Sequence, residues 1–266
     1  GNQVTSNSSA CATGAEAIYM AAERIRSGQA QRMLAGGAEG VSRYIWSAFD
    51  AMRVLARKFN DRPSEASRPM SSSAGGFVPS AGAGVLLLED LESARERGAR
   101  IHAEFLGGAV NSGGHRNGGS MTAPNSAGVQ RCITAALSNA GVDGSEIDAI
   151  SGHLTGTFAD PMEVANWAQA LGRRPRDLPL ITAPKSMFGH ALGAAGAIET
   201  VAAILMLQGG YVHPSSNCED LHPDIEPYAD SVAHELKKIP DMQTVIKAGF
   251  GFGDVNCSLV FRNCSN

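Results

Sequence analysis

The sequence predicts an α/β protein whose sheets are covered on both faces. Strand-like and helix-like stretches alternate along most of the chain, several of the strands are short buried runs, and 43% of the 266 residues are hydrophobic, enough to bury a core. Gln3 to Ala10 reads as extended. Ala15, Ile18, Ala21, Ala22 and Ile25 then recur at helical spacing, and Arg24, Arg26, Ser27 and Gly28 bring the cations and the stop that end such a helix. Met33 to Gly37 is a short strand and Ala48 to Leu55 a helix, while Asn60 to Gly76, rich in Ser, Pro, Gly and charge, is a long surface loop. Val85 to Leu88 is a buried strand running into a charged helix, Glu89 to Arg97. From Ile101 the alternation restarts, with a strand to Leu106, a Gly/Ser/Asn-rich loop to Asn125, a helix from Ala127 to Ala140 and a strand from Ile147 to Ser151. A helix over Asp160 to Leu171 opens on Asp-Pro as N-cap and N1, and turns Met162, Val164, Trp167 and Leu171 toward a core. Leu178 to Thr182 is a strand, Ala194 to Leu207 an apolar helix, and Val245 to Phe250 and Cys257 to Phe261 are strands joined by a Gly-rich turn. A boundary near Gly98 to Arg100 separates residues 1–99 from 100–266.

Twenty-two basic against 26 acidic residues, a net charge of −4, give no global positive field, which sets the chain against nucleic-acid binding. The longest apolar stretch, Ala202 to Leu207, falls far short of the roughly 20 residues that span a bilayer, so no membrane insertion and a cytoplasmic setting are expected. The five cysteines are an odd, sparse set without CxxC spacing, which argues against a disulfide framework or a zinc site and for free thiols in a reducing compartment. The chain opens at Gly1 without an initiator Met and leads straight into a strand-like segment, so an upstream portion is expected.

Four short constellations can carry chemistry. Ser9-Ala10-Cys11-Ala12-Thr13-Gly14 puts a cysteine between a strand and a helix start, where the helix dipole and free N–H groups favour a thiolate near neutral pH; a small buried hydrophobe is an equal reading of Cys11 alone. Ser151 to Thr157 ends a buried strand in small and hydroxylated residues with His153 at the mouth, where α/β folds place their sites, although a structural histidine is commoner. Pro184 to His190 sets Lys185 five residues before His190, ahead of Gly193 to Gly196 and a helix holding Glu199; the phosphate-loop pattern is absent. Gly249 to Asp254 alternates glycines that allow close backbone approach with Phe250 and Phe252, and a plain β-turn accounts for it about as well.

In this order, each at a strand end, the four together resemble the β-ketoacyl-acyl-carrier-protein synthases of the elongating Cys-His-His type. The resemblance runs from Cys11 to the C-terminus through ACATG, GGAEG, MRxL, SRPM, GGFV, AGAGVLLLE, HLTGT, KSMFGHALGAAGAIE and GFGFG. It implies a thiolase-like layered α/β/α/β/α fold in two similar halves, the first (1–99, with the nucleophile) incomplete in this chain and the second (100–266) carrying the His, Lys and GFGF motifs. By correspondence Cys11 takes the acyl chain as a thioester, His153 and His190 face the malonyl group, and Lys185 orders the site. The N–H groups of Cys11 and Phe252 form an oxyanion hole worth on the order of 3 kcal/mol per donor. Phe252 also gates the acyl pocket, which Phe49 and Phe250 line; Thr155 and Thr157 hold the phosphopantetheine arm, and Arg53 and Thr122 stand near the carrier-protein entrance. Glu199, Asp160 and Glu163 support the site from behind.

The implied reaction is a decarboxylative Claisen condensation on carrier-protein thioesters, in fatty-acid or related synthesis, with no metal and no cofactor beyond the 4′-phosphopantetheine that arrives on the carrier protein. The implied partners are an acyl carrier protein, the N-terminal part of the synthase and a second, identical or ketosynthase-like, subunit. A polyketide ketosynthase and a non-catalytic chain-length-factor-like subunit are the alternatives; such subunits typically lose the cysteine that this chain keeps as Cys11. Three positions depart from the family pattern. Leu154 stands where a small residue is usual, Asp160 comes one residue early, and Asp254 replaces a glycine, a mild strain if that position needs positive φ.

Overall fold

The computed structural model describes residues 3–116 and 118–264. Four layers stack in it. The first is a two-stranded antiparallel sheet of β1 (Arg32–Glu39) and β2 (Gly82–Glu89). Beneath it lie α1 (Thr13–Arg26) and α7 (Ala195–Gly209). A five-stranded mixed sheet follows, made of β3 (Glu104–Ser112), β4 (Ala149–Ser151), β5 (Leu180–Thr182), β8 (Thr244–Gly251) and β9 (Val255–Arg262) in the order β3-β9-β8-β4-β5. Helices α4 (Ser126–Ala140) and α5 (Asp160–Ala170) cover its far side. These are four of the five layers expected, and the first sheet has two strands against five in the second. The short α2 (Arg43–Ala51), α3 (Leu91–Glu96) and α6 (Lys185–Phe188), with the small pair β6 (Tyr211–Val212) and β7 (Lys237–Lys238), complete the chain.

The core divides along the same layers. One apolar cluster, with Ile18, Val245, Met206, Leu207 and Leu259, fills the space around α1 and α7, and a second, with Ile133, Ile150, Trp167, Ile246 and Phe250, lies under α4 and α5. Strand β8 is buried along its whole length because both of its faces are covered, so its residues alternate between the two cores rather than between core and water. Leu192–Gly209 is long and apolar enough to cross a membrane, but α7 is a core helix here, packed between the two sheets with Glu199 buried in its middle.

Several elements differ from the sequence reading. Gln3 to Ala10 joins no sheet; it runs largely exposed, with the Asn7 amide donating to Thr13 O and to Glu16. Helix α2 spans Arg43–Ala51 rather than Ala48 to Leu55 because Ser42 caps it, its hydroxyl accepting from the Ile45 N–H, and Leu55 instead bridges Phe77. Strand β3 starts and ends later than expected, and Asp160 is the first helical residue of α5 rather than its cap, which is Ala159.

Candidate active site

Cys11, the candidate nucleophile, sits on a tight turn. Ala10 takes φ +47°, a conformation that costs a non-glycine residue energy, and the turn is pinned by Thr13, whose hydroxyl accepts from Ser9 N–H (2.8 Å) and donates to Ala10 O (2.7 Å). Cys11 is thereby presented just ahead of α1, next to the β8–β9 turn. A Cβ on Gly251 would lie 2.7 Å from Ser9 O and 3.1 Å from Cys11 N, so close approach of two backbones is what requires this glycine. The backbone N–H groups of Phe252 and of Cys11 favour the charged form of the sulfur.

Two imidazoles face that sulfur. His190 follows α6, its backbone fastened to the Val78–Ser80 segment by His190 N–H to Val78 O (2.7 Å) and Ser80 N–H to His190 O (2.9 Å). Its Nε2 is 3.1 Å from Cys11 Sγ, and its Nδ1 accepts the Leu192 N–H at 3.2 Å. His153 leaves the end of β4 with its ring nearly perpendicular to that of His190, centroids 5.4 Å apart. Its Nδ1 lies 3.3 Å from Lys185 Nζ, which also donates to His153 O at 2.6 Å. In both rings Nδ1 has a donor against it, which assigns the proton of the neutral imidazole to Nε2.

Behind the rings, Lys185 is paired with one oxygen of Glu199 and Lys247 with the other, at 2.6 Å for the latter; all three side chains are fully buried. Glu199 Oε2 has no well-directed hydrogen bond, so its link to Lys247 is an ion contact rather than an aligned bond. Under His153, Glu163 accepts the N–H groups of His153 (2.6 Å) and Leu154 (2.8 Å) and the Trp167 indole N–H (3.2 Å). Asp160 accepts those of Thr155, Gly156 and Met70 at 2.8–2.9 Å. The HLTGT loop is therefore closed by two carboxylates despite its shortened form.

Burial, with Lys185 next in weight, holds both His153 and His190 well below the usual imidazole value, so both are neutral donors at pH 7. Burial also pushes the Cys11 thiol up to about 11, against the pull of Lys185 and the Phe252 N–H. This corrects the expectation of a standing thiolate near neutral pH: desolvation outweighs the helix terminus, and the sulfur is a thiol until charge develops on it. Burial and the neighbouring Asp160 push Glu163 up to about 7.

The cavity in front of Cys11 is lined by Phe49, Thr122, His153, Thr155, Thr157, His190, Phe250 and Phe252, together with Asp160 and Glu163. Lys185 and Glu199 lie behind it, and Arg53 is exposed at the turn after α2, beside Val54, which lines the cavity. Thr155 and Thr157 share a hydrogen bond between their hydroxyls (3.0 Å), and Phe49 stands edge-on to Phe252 with ring centroids 6.1 Å apart. Two residues packed around the candidate site escaped the sequence reading. Phe77 packs edge-on to both His190 and Phe49, and although it lies inside the GGFV motif, nothing local marks it as a wall of the site. Lys247 had a readable signal, a lone charge inside the apolar run of β8. Cys11 Sγ and the facing nitrogens of His153 and His190 lie within 4.8 Å of one another, a set that elsewhere suits a metal ion; the ammonium of Lys185 behind the rings opposes a cation here.

A cysteine on the turn before α1 and two neutral imidazoles, one after β4 and one after α6, meet in one cavity, and the chain belongs to the β-ketoacyl synthase family. Residues 3–94 match the family's N-terminal domain and residues 102–219 its C-terminal domain. Among curated relatives, the chloroplastic 3-oxoacyl-[acyl-carrier-protein] synthase II of Arabidopsis thaliana is 41% identical over 96% of this chain and 46% of its own length. The 3-oxoacyl-[acyl-carrier-protein] synthase 1 of Escherichia coli (strain K12) is 39% identical over 96% of this chain and 60% of its own length. A solved β-ketoacyl synthase from Burkholderia phymatum STM815 superposes with a TM-score of 0.90 at 36% identity, covering 97% of this chain and 61% of that one. The ishigamide ketosynthase/chain length factor superposes at 0.89 with 34% identity, covering 99% and 61%. The chain thus spans about half to three fifths of the length of these proteins.

Proposed function

We propose that this protein, with the remainder of a full-length synthase, catalyses decarboxylative Claisen condensation of a Cys11-bound acyl group with malonyl-acyl-carrier protein, giving a β-ketoacyl thioester in fatty-acid synthesis. The observation that carries this reading is the pair of Nε2–H groups from His153 and His190 converging on the space beside Cys11 Sγ. In the first step Cys11 Sγ attacks the acyl thioester carbon, the bond to the pantetheine sulfur breaks, and the thiol proton leaves on that sulfur. The N–H groups of Cys11 and Phe252 hold the oxyanion. In the second, the malonyl carbon–carboxylate bond breaks, CO2 departs, and the electron pair moves onto the thioester oxygen, where the two imidazole N–H groups stabilise it. The enolate carbon then attacks the acyl carbonyl, the bond to Cys11 breaks, and the sulfur regains a proton from solvent. Two neutral imidazoles do the work asked of a Lewis acid, so in this reading the chemistry needs no metal, and phosphopantetheine is part of the substrate.

Thr155 and Thr157 on one cavity wall support a role in holding the pantetheine arm, and Thr122, with Arg53 nearby, a role at the carrier-protein entrance. The two-stranded first sheet leaves Leu34 73%, Val85 58% and Leu87 57% exposed, which supports an N-terminal portion of the synthase, or a second subunit, covering that face. Five free cysteines support a reducing, cytoplasmic setting. One solved relative is a type II polyketide ketosynthase with its acyl-carrier protein, so a polyketide substrate is the second reading. The test is condensation of acyl- with malonyl-carrier protein by the full-length synthase and by its C11A form. Product formation that C11A abolishes is expected; condensation that survives C11A moves the chain to a non-catalytic subunit, and acylation only by branched or aromatic primers favours the polyketide reading.

A further inference from the structure

Lys247 belongs to none of the motifs and lines no part of the cavity, yet it is among the largest fully buried side chains of the protein. On β8 its neighbours Ile246 and Ala248 face the core under α4 and α5, so strand alternation turns Lys247 the other way, toward α7. There its Nζ meets Glu199 Oε2 at 2.6 Å and donates to Ala248 O. The other Glu199 oxygen takes Lys185, whose remaining N–H groups go to His153 O and His153 Nδ1. The contacts therefore run without a break from Lys247 through Glu199 and Lys185 to the His153 ring.

A Lys185–Glu199 pair alone would be neutral. Adding a second buried ammonium leaves one carboxylate between two cations, an arrangement that costs folding free energy and asks for a function. We infer that Lys247 is a positioning residue that locks Glu199 from behind and leaves a net positive charge in back of both imidazoles, keeping His153 and His190 as neutral Nε2–H donors. Other titratable groups lie nearby: the two rings face each other, Glu163 accepts the His153 backbone N–H, the Cys11 thiol faces His190, Glu39 of β1 accepts the Gly193 N–H, and His213 feels the Glu199 charge. Lys247 nonetheless joins Lys185 among the charges holding both rings below the ordinary imidazole value.

The part this plays in catalysis rests on the condensing-enzyme reading, but a ring titration does not. Histidine-labelled full-length protein, followed by nitrogen NMR, is expected to keep both rings neutral, with the proton on Nε2, at pH values where an ordinary imidazole is already protonated. In K247M the His153 and His190 midpoints are expected to rise by about one pH unit, and in K247R, which keeps the charge, to stay nearer the wild type. A folded K247M that titrates like the wild type overturns the inference. If K247M does not fold, the wild type decides by itself: two slowly exchanging lysine ammonium signals from Lys185 and Lys247 at neutral pH are required, and a neutral Lys247 amine overturns the inference as well. Failure of wild-type condensation with the expected ring titration would count against the proposed reaction and leave the role of Lys247 standing.

Discussion

Cys11 shows how two local influences compete at one atom. The helix that follows it draws negative charge toward the sulfur, but burial pushes the thiol up to about 11, so the resting group is protonated. Peptide-mapped alkylation of Cys11 by iodoacetamide is accordingly expected to keep rising by about tenfold per pH unit from 6 to 9; a plateau above pH 7 would mean a standing thiolate. Behind it, Glu199 serves two lysines, which makes the three residues unequal. Truncating Lys185 leaves Glu199 with Lys247, whereas E199A strands two buried cations and is expected to cost the roughly 3–5 kcal/mol of a broken buried pair, with K185M costing clearly less in the same denaturant titration. The motif residues Cys11, His153, Lys185 and His190 stand out in the sequence because each lies beside small residues next to a strand-like or apolar run, although only His153 and Lys185 follow a strand in the fold. Lys247 shows in the sequence as a lone charge in an apolar run, but a strand with both faces buried gives no hint of which face that charge takes.

At the scale of elements, most helices and strands were legible from period and caps, and the misplaced end of β3 has a clear cause: its glycines and Ser112 read as loop signals where they serve close packing. Strand β3 continues through Gly107 and Gly108 to Ser112, because α4 lies so near that a Cβ on Gly107 would sit 2.5 Å from Ala140 N. G107A is therefore expected to push β3 and α4 apart and lower stability by about 1–3 kcal/mol, measured by thermal or urea unfolding. Asp254 is the opposite case. The expected strain is present, at φ +63°, and the buried carboxylate accepts the Asn125 (2.9 Å) and His115 (3.1 Å) N–H groups, tying the loop before α4 to the turn that carries Phe252. The side chain thus offsets what its backbone costs, a compensation that sequence spacing does not display.

For the whole molecule, the layers were legible as an alternation, but the sharing of α1 and α7 between two unequal sheets was not, because no local pattern states which helix a distant sheet will cover. The summed titrations set a pH dependence. His153, His190 and His213 are held low chiefly by burial, so each contributes stability that is present above the unfolded imidazole value near 6.5 and lost as pH falls. Glu163, raised to about 7, and Asp160, also raised by burial, act in the opposite sense, being stabilising at low pH and losing that contribution as pH rises. Three imidazoles against two carboxyls predict a melting temperature that falls from pH 6.5 toward 5, and more steeply in E163Q; a flat profile over that range would mean the imidazoles titrate normally.

The order β3-β9-β8-β4-β5 has a consequence for the time at which the candidate site is assembled. As the chain leaves the ribosome, β3 and β4 emerge well before the two strands that must lie between them, and the sheet stays split until β8 and β9 slide into its centre. The same late strands bring Phe252 against Cys11 and Lys247 against Glu199. Until they arrive Cys11 lacks the Phe252 backbone and Glu199 lacks Lys247, so the candidate site is completed by the last two strands to join the sheet.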